Sequence, residues 1–98
     1  MKILAIEKEV LGSSEEQFKP YLKEEAGRVW NLYQTGIIRE IYFTQNTHEA
    51  VIILECKDEY EAKSILETLP LVKEKLISFE IKPLVAYDGF NRLFENIE

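Results

Sequence analysis

The sequence predicts an α+β fold, and three observations predict it. Four stretches alternate in the two-residue rhythm of β-strands, two stretches repeat apolar residues at helical spacings of three and four, and two of the strands are apolar on both faces. In chain order they read strand, helix, strand, strand, helix, strand. This is the ferredoxin-like βαββαβ order with a four-stranded antiparallel sheet, expected as one domain over residues 1–98.

Lys2 to Val10 reads as the first strand, with Ile3 and Ala5 on one face and Leu4 and Ile6 on the other, so neither face suits water. Ser13 followed by Glu16 offers a capping box for a helix. Phe18, Leu22, Ala26, Val29 and Tyr33 then form one stripe, widened by Tyr21, Trp30 and Leu32, until Gly36 supplies the stop. Pro20 disrupts a helix interior, which predicts a short first turn and a main helix that begins near Pro20.

Ile37 to Gln45 and His48 to Cys56 are β-rich runs expected to pair across a tight Asn46-Thr47 turn. Ala50, Ile52, Leu54 and Cys56 share one face of the later run and Val51 and Ile53 the other, the pattern of a central strand. Asp58 with Glu61 caps a second helix carrying Ala62, Ile65, Leu66 and Leu69, which Pro70 is expected to end. After a turn-like stretch from Leu71 to Leu76, Ile77, Phe79 and Ile81 alternate with Ser78, Glu80 and Lys82, as expected at a sheet edge. Tyr87, Phe90, Leu93, Phe94 and Ile97 predict a helical turn after Gly89 whose apolar stripe docks, with packing across a subunit boundary expected and docking on its own subunit the alternative.

Composition narrows the function classes. Apolar residues make up 46% and charged residues 31%, which is globular composition. Eighteen acidic against twelve scattered basic residues give a net charge of −6, which disfavours nucleic acid. One cysteine, Cys56, and one histidine, His48, cannot build an intrachain disulfide, a thiolate cluster or a His-rich metal site, so no metal is expected. The apolar run from Ile3 to Ile6 is too short for a signal segment or membrane span, so a cytoplasmic location is expected. Two helices cover only one face of a four-stranded sheet. The strands that are apolar on both sides therefore predict a second copy packed face to face, giving a dimeric α/β barrel.

From about Glu24 to Leu84 the chain resembles the muconolactone isomerase-like group of the dimeric α/β-barrel proteins. The residues that carry the resemblance are the acidic helix ending at Gly36, the Gly36-x-x-Arg39 entry to the next strand, Leu69-Pro70-Leu71, and Phe79-Glu80-Ile81 followed by Pro83-Leu84. The resemblance implies a ferredoxin-like fold, homodimers that sometimes assemble further, and cofactor-free isomerisation of a small lactone by proton transfer. Where the named enzyme has a Trp-Arg pair, this chain has Tyr42 and Phe43, one cation fewer for a substrate carboxylate.

Arg39 leads the candidate residues, because alternation sets it beside Ile37, Ile41 and Phe43 as a charge among apolar neighbours that must be paired. Its fork suits the carboxylate of an organic acid, and the structural alternative is a pair with Glu55 or another cross-strand carboxylate. Glu24 and Glu25 lie near the part of the helix that is acidic in the family the chain resembles, and the resemblance makes them the candidate proton shuttles, with solvated helix charges the alternative. Tyr42 and Glu40 are placed on the face opposite Arg39. Tyr42, His48 at the hairpin end and Trp30, otherwise a core or interface residue, complete the ligand-contact set. Cys56 reads as a buried small hydrophobe. Two function classes follow: a cofactor-free isomerase or binder of a small organic acid or lactone, or a non-catalytic assembly or accessory protein. A concave pocket holding Arg39 and a carboxylate favours the first, and a lumen filled by side chains the second.

Overall fold

Alternation and helical spacing resolve into ten short elements in the computed structural model, which describes residues 1–95. The elements are β1 (Lys2–Glu9), α1 (Glu15–Phe18), a 3-10 turn (Lys19–Tyr21), α2 (Leu22–Gln34), β2 (Ile38–Phe43), β3 (Ala50–Glu55), α3 (Glu59–Leu66), α4 (Pro70–Lys73), β4 (Ile77–Pro83) and a 3-10 segment (Gly89–Phe94). The sheet runs β2-β3-β1-β4, every pair antiparallel, which is the ferredoxin-like α+β arrangement with β3 and β1 central.

Register decides which residues face the helices. Ile3 lies opposite Leu54 and Ala5 opposite Ile52, and with Leu32 of α2 and Ala62 and Leu66 of α3 they form the core, Ile3, Ala5 and Leu54 at 0% exposure. The other face carries Leu4, Ile6, Val51 and Ile53, half-buried and without a helix above them. No helix among the described residues is long and apolar enough to cross a membrane.

Several local expectations need correction. The first cap is Ser14, not Ser13: the Ser14 amide donates to Gln17 Oε1 at 2.8 Å, while Ser13 Oγ donates to the Leu76 carbonyl at 3.1 Å and ties this loop to β4. Pro20 sits in the 3-10 turn, and the main helix begins two residues later at Leu22. Asp58 caps α3 as expected, accepting from the Glu61 amide at 2.9 Å. Pro70 starts α4 instead of ending α3, which stops at Leu66, because a missing N–H costs nothing at a first helical position. The hairpin is longer than a two-residue turn. Phe43 pairs with Ala50, and the six residues between them close through the Thr44 amide on the Glu49 carbonyl, at 2.8 Å.

The tail forms a 3-10 segment from Gly89, and its described apolar side chains stand exposed on this subunit. The Leu84 amide still bonds the Lys2 carbonyl at 2.9 Å, and beyond it Tyr87, Phe90, Leu93 and Phe94 are 65–83% exposed. Ile97, the last member of the expected stripe, lies outside the described residues. The radius of gyration is 16.7 Å, against about 13 Å for a closed chain of this length, because the tail extends the molecule to 64 Å.

Candidate functional site

The apolar stripe of α2 is wider than the core it helps to close. Leu32 alone among its residues is buried. Leu22, Ala26, Val29, Trp30 and Tyr33 instead form one wall of a cleft of about 1200 Å³ between α2 and the sheet. The cleft opens where β1 and β2 end and β3 and β4 begin. Ala50, Ile52, Ile77 and Phe79 contribute its floor, with Ile41 and Phe43 of the edge strand β2 beside Ile52 and Ala50. Arg39, Glu40 and Tyr42 border it at the strand edge, Glu40 and Tyr42 being register partners of Ile53 and Val51 on the uncovered face.

At this end of the sheet the helix-facing side of β1 changes character. Ile3 and Ala5 are core, and two residues on, Glu7 enters the cleft. Its Oε1 accepts the Ala50 amide at 3.0 Å, just past the last β1–β3 pair, Ile6 with Val51. Glu25, from α2, reaches the same cleft and accepts the Leu71 amide at 2.9 Å. One oxygen of each carboxylate is thus fixed by backbone. Burial pushes both carboxyl groups above the usual carboxylate range, the backbone N–H groups offset part of that, and the charge of Glu7 pushes Glu25 up further. Glu49 and Glu9 also raise Glu7, and His48 lowers it, so the hairpin loop faces the same carboxyl.

Five of the six residues singled out from sequence line this cleft: Arg39, Glu25, Tyr42, Trp30 and His48. Glu24 does not, being exposed on the first turn of α2. Arg39 is not a charge buried among apolar side chains. A bulge between Ile38 and Glu40 breaks the alternation on which that placement rested, so Ile38 is the buried residue, and Arg39 is exposed with its Nε donating to the Gly36 carbonyl at 2.6 Å. Gly36 holds φ +84°, the left-handed turn that aims its carbonyl at the strand entry. Glu55, the alternative partner, instead meets the N-terminal ammonium at 2.8 Å. Trp30 is 58% exposed, stacked on Tyr33 with centroids 6.1 Å apart, and so presents an aromatic wall instead of filling the core. Tyr42 donates to Glu40 Oε1 at 2.7 Å. His48 holds φ +53°, uncommon for a non-glycine residue, and lies flat on Phe43 with ring centroids 3.9 Å apart.

Sequence reasoning missed Glu7. It reads as the charge that breaks an apolar run, and its only available signal was its phase: two residues after Ala5 on a central strand, it must share the buried face. Cys56, expected as a small hydrophobe, is buried in the core, where burial pushes its thiol pKa up. A half-buried pair of carboxyls of raised pKa, set among aromatic and apolar walls, can hold one proton and accept another.

No family model matches the chain, and no curated protein matches it in sequence. Among solved structures it is similar to 5-chloro-2-hydroxyhydroquinone dehydrochlorinase (TftG) from Burkholderia phenoliruptrix AC1100, in complex with 2,5-dihydroxybenzoquinone. The TM-score is 0.65 at 16% identity, covering 91% of this chain and 98% of that one. At that identity the likeness is one of fold, and the fold is the four-stranded antiparallel α+β sheet with helices described above.

Proposed function

We propose that this chain is a small-molecule enzyme of the muconolactone isomerase-like kind, moving a proton on an unsaturated ring or lactone bound between α2 and the sheet. The observation that carries the reading is the Glu7–Glu25 pair. The ionised carboxylate of the pair takes a proton from carbon next to a carbonyl, leaving a dienolate, and the protonated one returns a proton at the conjugated carbon. The double bond shifts and the pair regains its starting proton count. Trp30, Tyr33 and Phe43 contact the ring, and Tyr42 and His48 border it. The protein of similar fold acts on a chlorinated hydroxyhydroquinone and holds a dihydroxybenzoquinone, which supports a ring-sized ligand for this architecture.

The test is carbon-bound hydrogen exchange in D2O, followed by NMR, with butenolides and hydroxylated quinones as probes. Exchange catalysed by the unmodified protein should fall about 100-fold or more in Glu7→Gln and in Glu25→Gln, since Gln keeps the acceptor for Ala50 or Leu71 but cannot carry the proton. Equal exchange in all three proteins would remove the pair from the chemistry.

The same reading includes a second copy. The uncovered sheet face and the exposed tail are two apolar surfaces of one chain. In this reading the tail, which leaves at the Lys2 end of β1, packs across the subunit boundary onto the partner copy. Light scattering at micromolar concentration should give at least twice 11.5 kDa, and deleting residues from Asp88 onward should weaken that assembly. A stable monomer would overturn this part of the proposal and leave the acid–base reading standing.

A further inference from the structure

The cleft carries a charge pattern that bears on what enters it. Six carboxylates line it, Glu7, Glu9, Glu15, Glu25, Glu40 and Glu49, against two cations, Lys19 and Arg39. Lys19 Nζ is 3.1 Å from Glu16 Oε1, and Arg39 Nε donates to the Gly36 carbonyl at 2.6 Å, so neither cation balances the carboxylates of the lining. The uncharged walls are aromatic, with Trp30 and Tyr33 stacked on the helix and Phe43 under His48 on the hairpin. A low-dielectric cleft lined by one sign of charge focuses that field on whatever enters. Even with one of Glu7 and Glu25 protonated, the lining is negative.

We infer that the cleft is a charge filter: it takes uncharged planar rings bearing hydroxyl or carbonyl oxygens and rejects the carboxylated form of the same ring. This departs from the expectation that Arg39 grips an organic acid, because a carboxylate at Arg39 enters the field of Glu40 and Glu49, and one cation does not offset the carboxylates around it. The inference rests on the cleft being the ligand site but not on the Glu7–Glu25 pair doing chemistry.

Titration of methyl 3,4-dihydroxybenzoate against 3,4-dihydroxybenzoate tests it, since ester and acid share one ring. Near neutral pH and low ionic strength the ester should bind about tenfold more tightly or better, the size expected from a few unit charges at intermediate dielectric. Raising the salt to about 1 M, where the screening length falls to about 3 Å, should narrow the gap. The Glu40→Gln/Glu49→Gln double variant, which keeps acceptors for Tyr42 and Thr47, should narrow it at low salt. Acid binding as tightly as ester, a gap indifferent to both salt and the double variant, or binding of neither compound would each overturn the filter. If the preference holds while Glu7→Gln and Glu25→Gln leave hydrogen exchange unchanged, the filter stands and the acid–base reading falls.

Discussion

On the helix-covered side of the sheet, one end is closed and the other is open, and a single step along β1 separates them. At the closed end Ile3 and Ala5 meet Leu54 and Ile52 beneath Leu32 and Leu66, with almost no surface left to water. At the open end the same face continues into Glu7, opposite α2 residues that are apolar yet exposed. The difference is not one of hydrophobic supply. Helix α2 carries more apolar surface than the sheet below it can cover, and the surplus becomes the wall of a site. A carboxylate placed at the boundary of a core acquires a raised pKa from that position, without a dedicated partner.

The largest effect should come from the closed end. Leu54→Ala, at 0% exposure, removes side-chain volume from a filled core and should lower unfolding free energy by about 2–5 kcal/mol. Denaturant titration measures it, and a loss under about 1 kcal/mol would mean that this end is looser than its burial implies.

The open end should respond to pH in the opposite sense to an ordinary ion-paired carboxylate. Glu7 and Glu25 have folded pKa values above their unfolded ones, so the folded state binds more protons in the window between them. The stability they contribute is complete below the unfolded carboxylate pKa and is lost as pH rises through the folded values. Glu7→Gln and Glu25→Gln should therefore raise the melting temperature near pH 8 relative to the unmodified protein and leave it little changed near pH 4. Equal shifts at both pH values would point to packing instead of charge.

The smallest effect is expected of Arg39, the residue that sequence reading placed first. Arg39→Met should alter stability by no more than about 0.5 kcal/mol, because its side chain is exposed and bonded only to a backbone carbonyl. Binding of an uncharged ring should survive the change. A large loss of either would restore Arg39 to the role of a buried, paired cation.

These contrasts also mark what was legible in the sequence. Strand faces followed from two-residue alternation wherever the ladder is regular: Ile3 and Ala5 could be placed on one face of β1, Ile52 and Leu54 on one face of β3, and β3 could be read as central, but only the register shows that the two sets share a face of the sheet. Arg39 could not, because the bulge beside Ile38 shifts phase by one residue and nothing in Ile37-Ile38-Arg39-Glu40 announces it. Helical spacing located the α2 stripe but not how much of it the sheet covers, so Trp30 and Tyr33 read as core or interface. Glu25 was legible, together with Glu24, only through the resemblance to a family that is acidic at that part of the helix, whereas Glu7 sat in a run of three charges that reads as a strand end. The tail's stripe was visible as periodicity, but where it docks depends on surfaces beyond one chain.

The claim that most needs a direct measurement is that Glu7 and Glu25 act as one acid–base pair. Carboxyl carbon NMR titration of glutamate-labelled protein, with assignments from the two Gln variants, measures it without a substrate. Both carboxyls should titrate above the usual carboxylate range, and Glu7→Gln should lower the pKa of Glu25, because the charge of Glu7 is one of the causes that raise it. If both groups titrate at ordinary glutamate values and neither responds to loss of the other, the cleft holds two independent surface carboxylates and the account of the site is wrong.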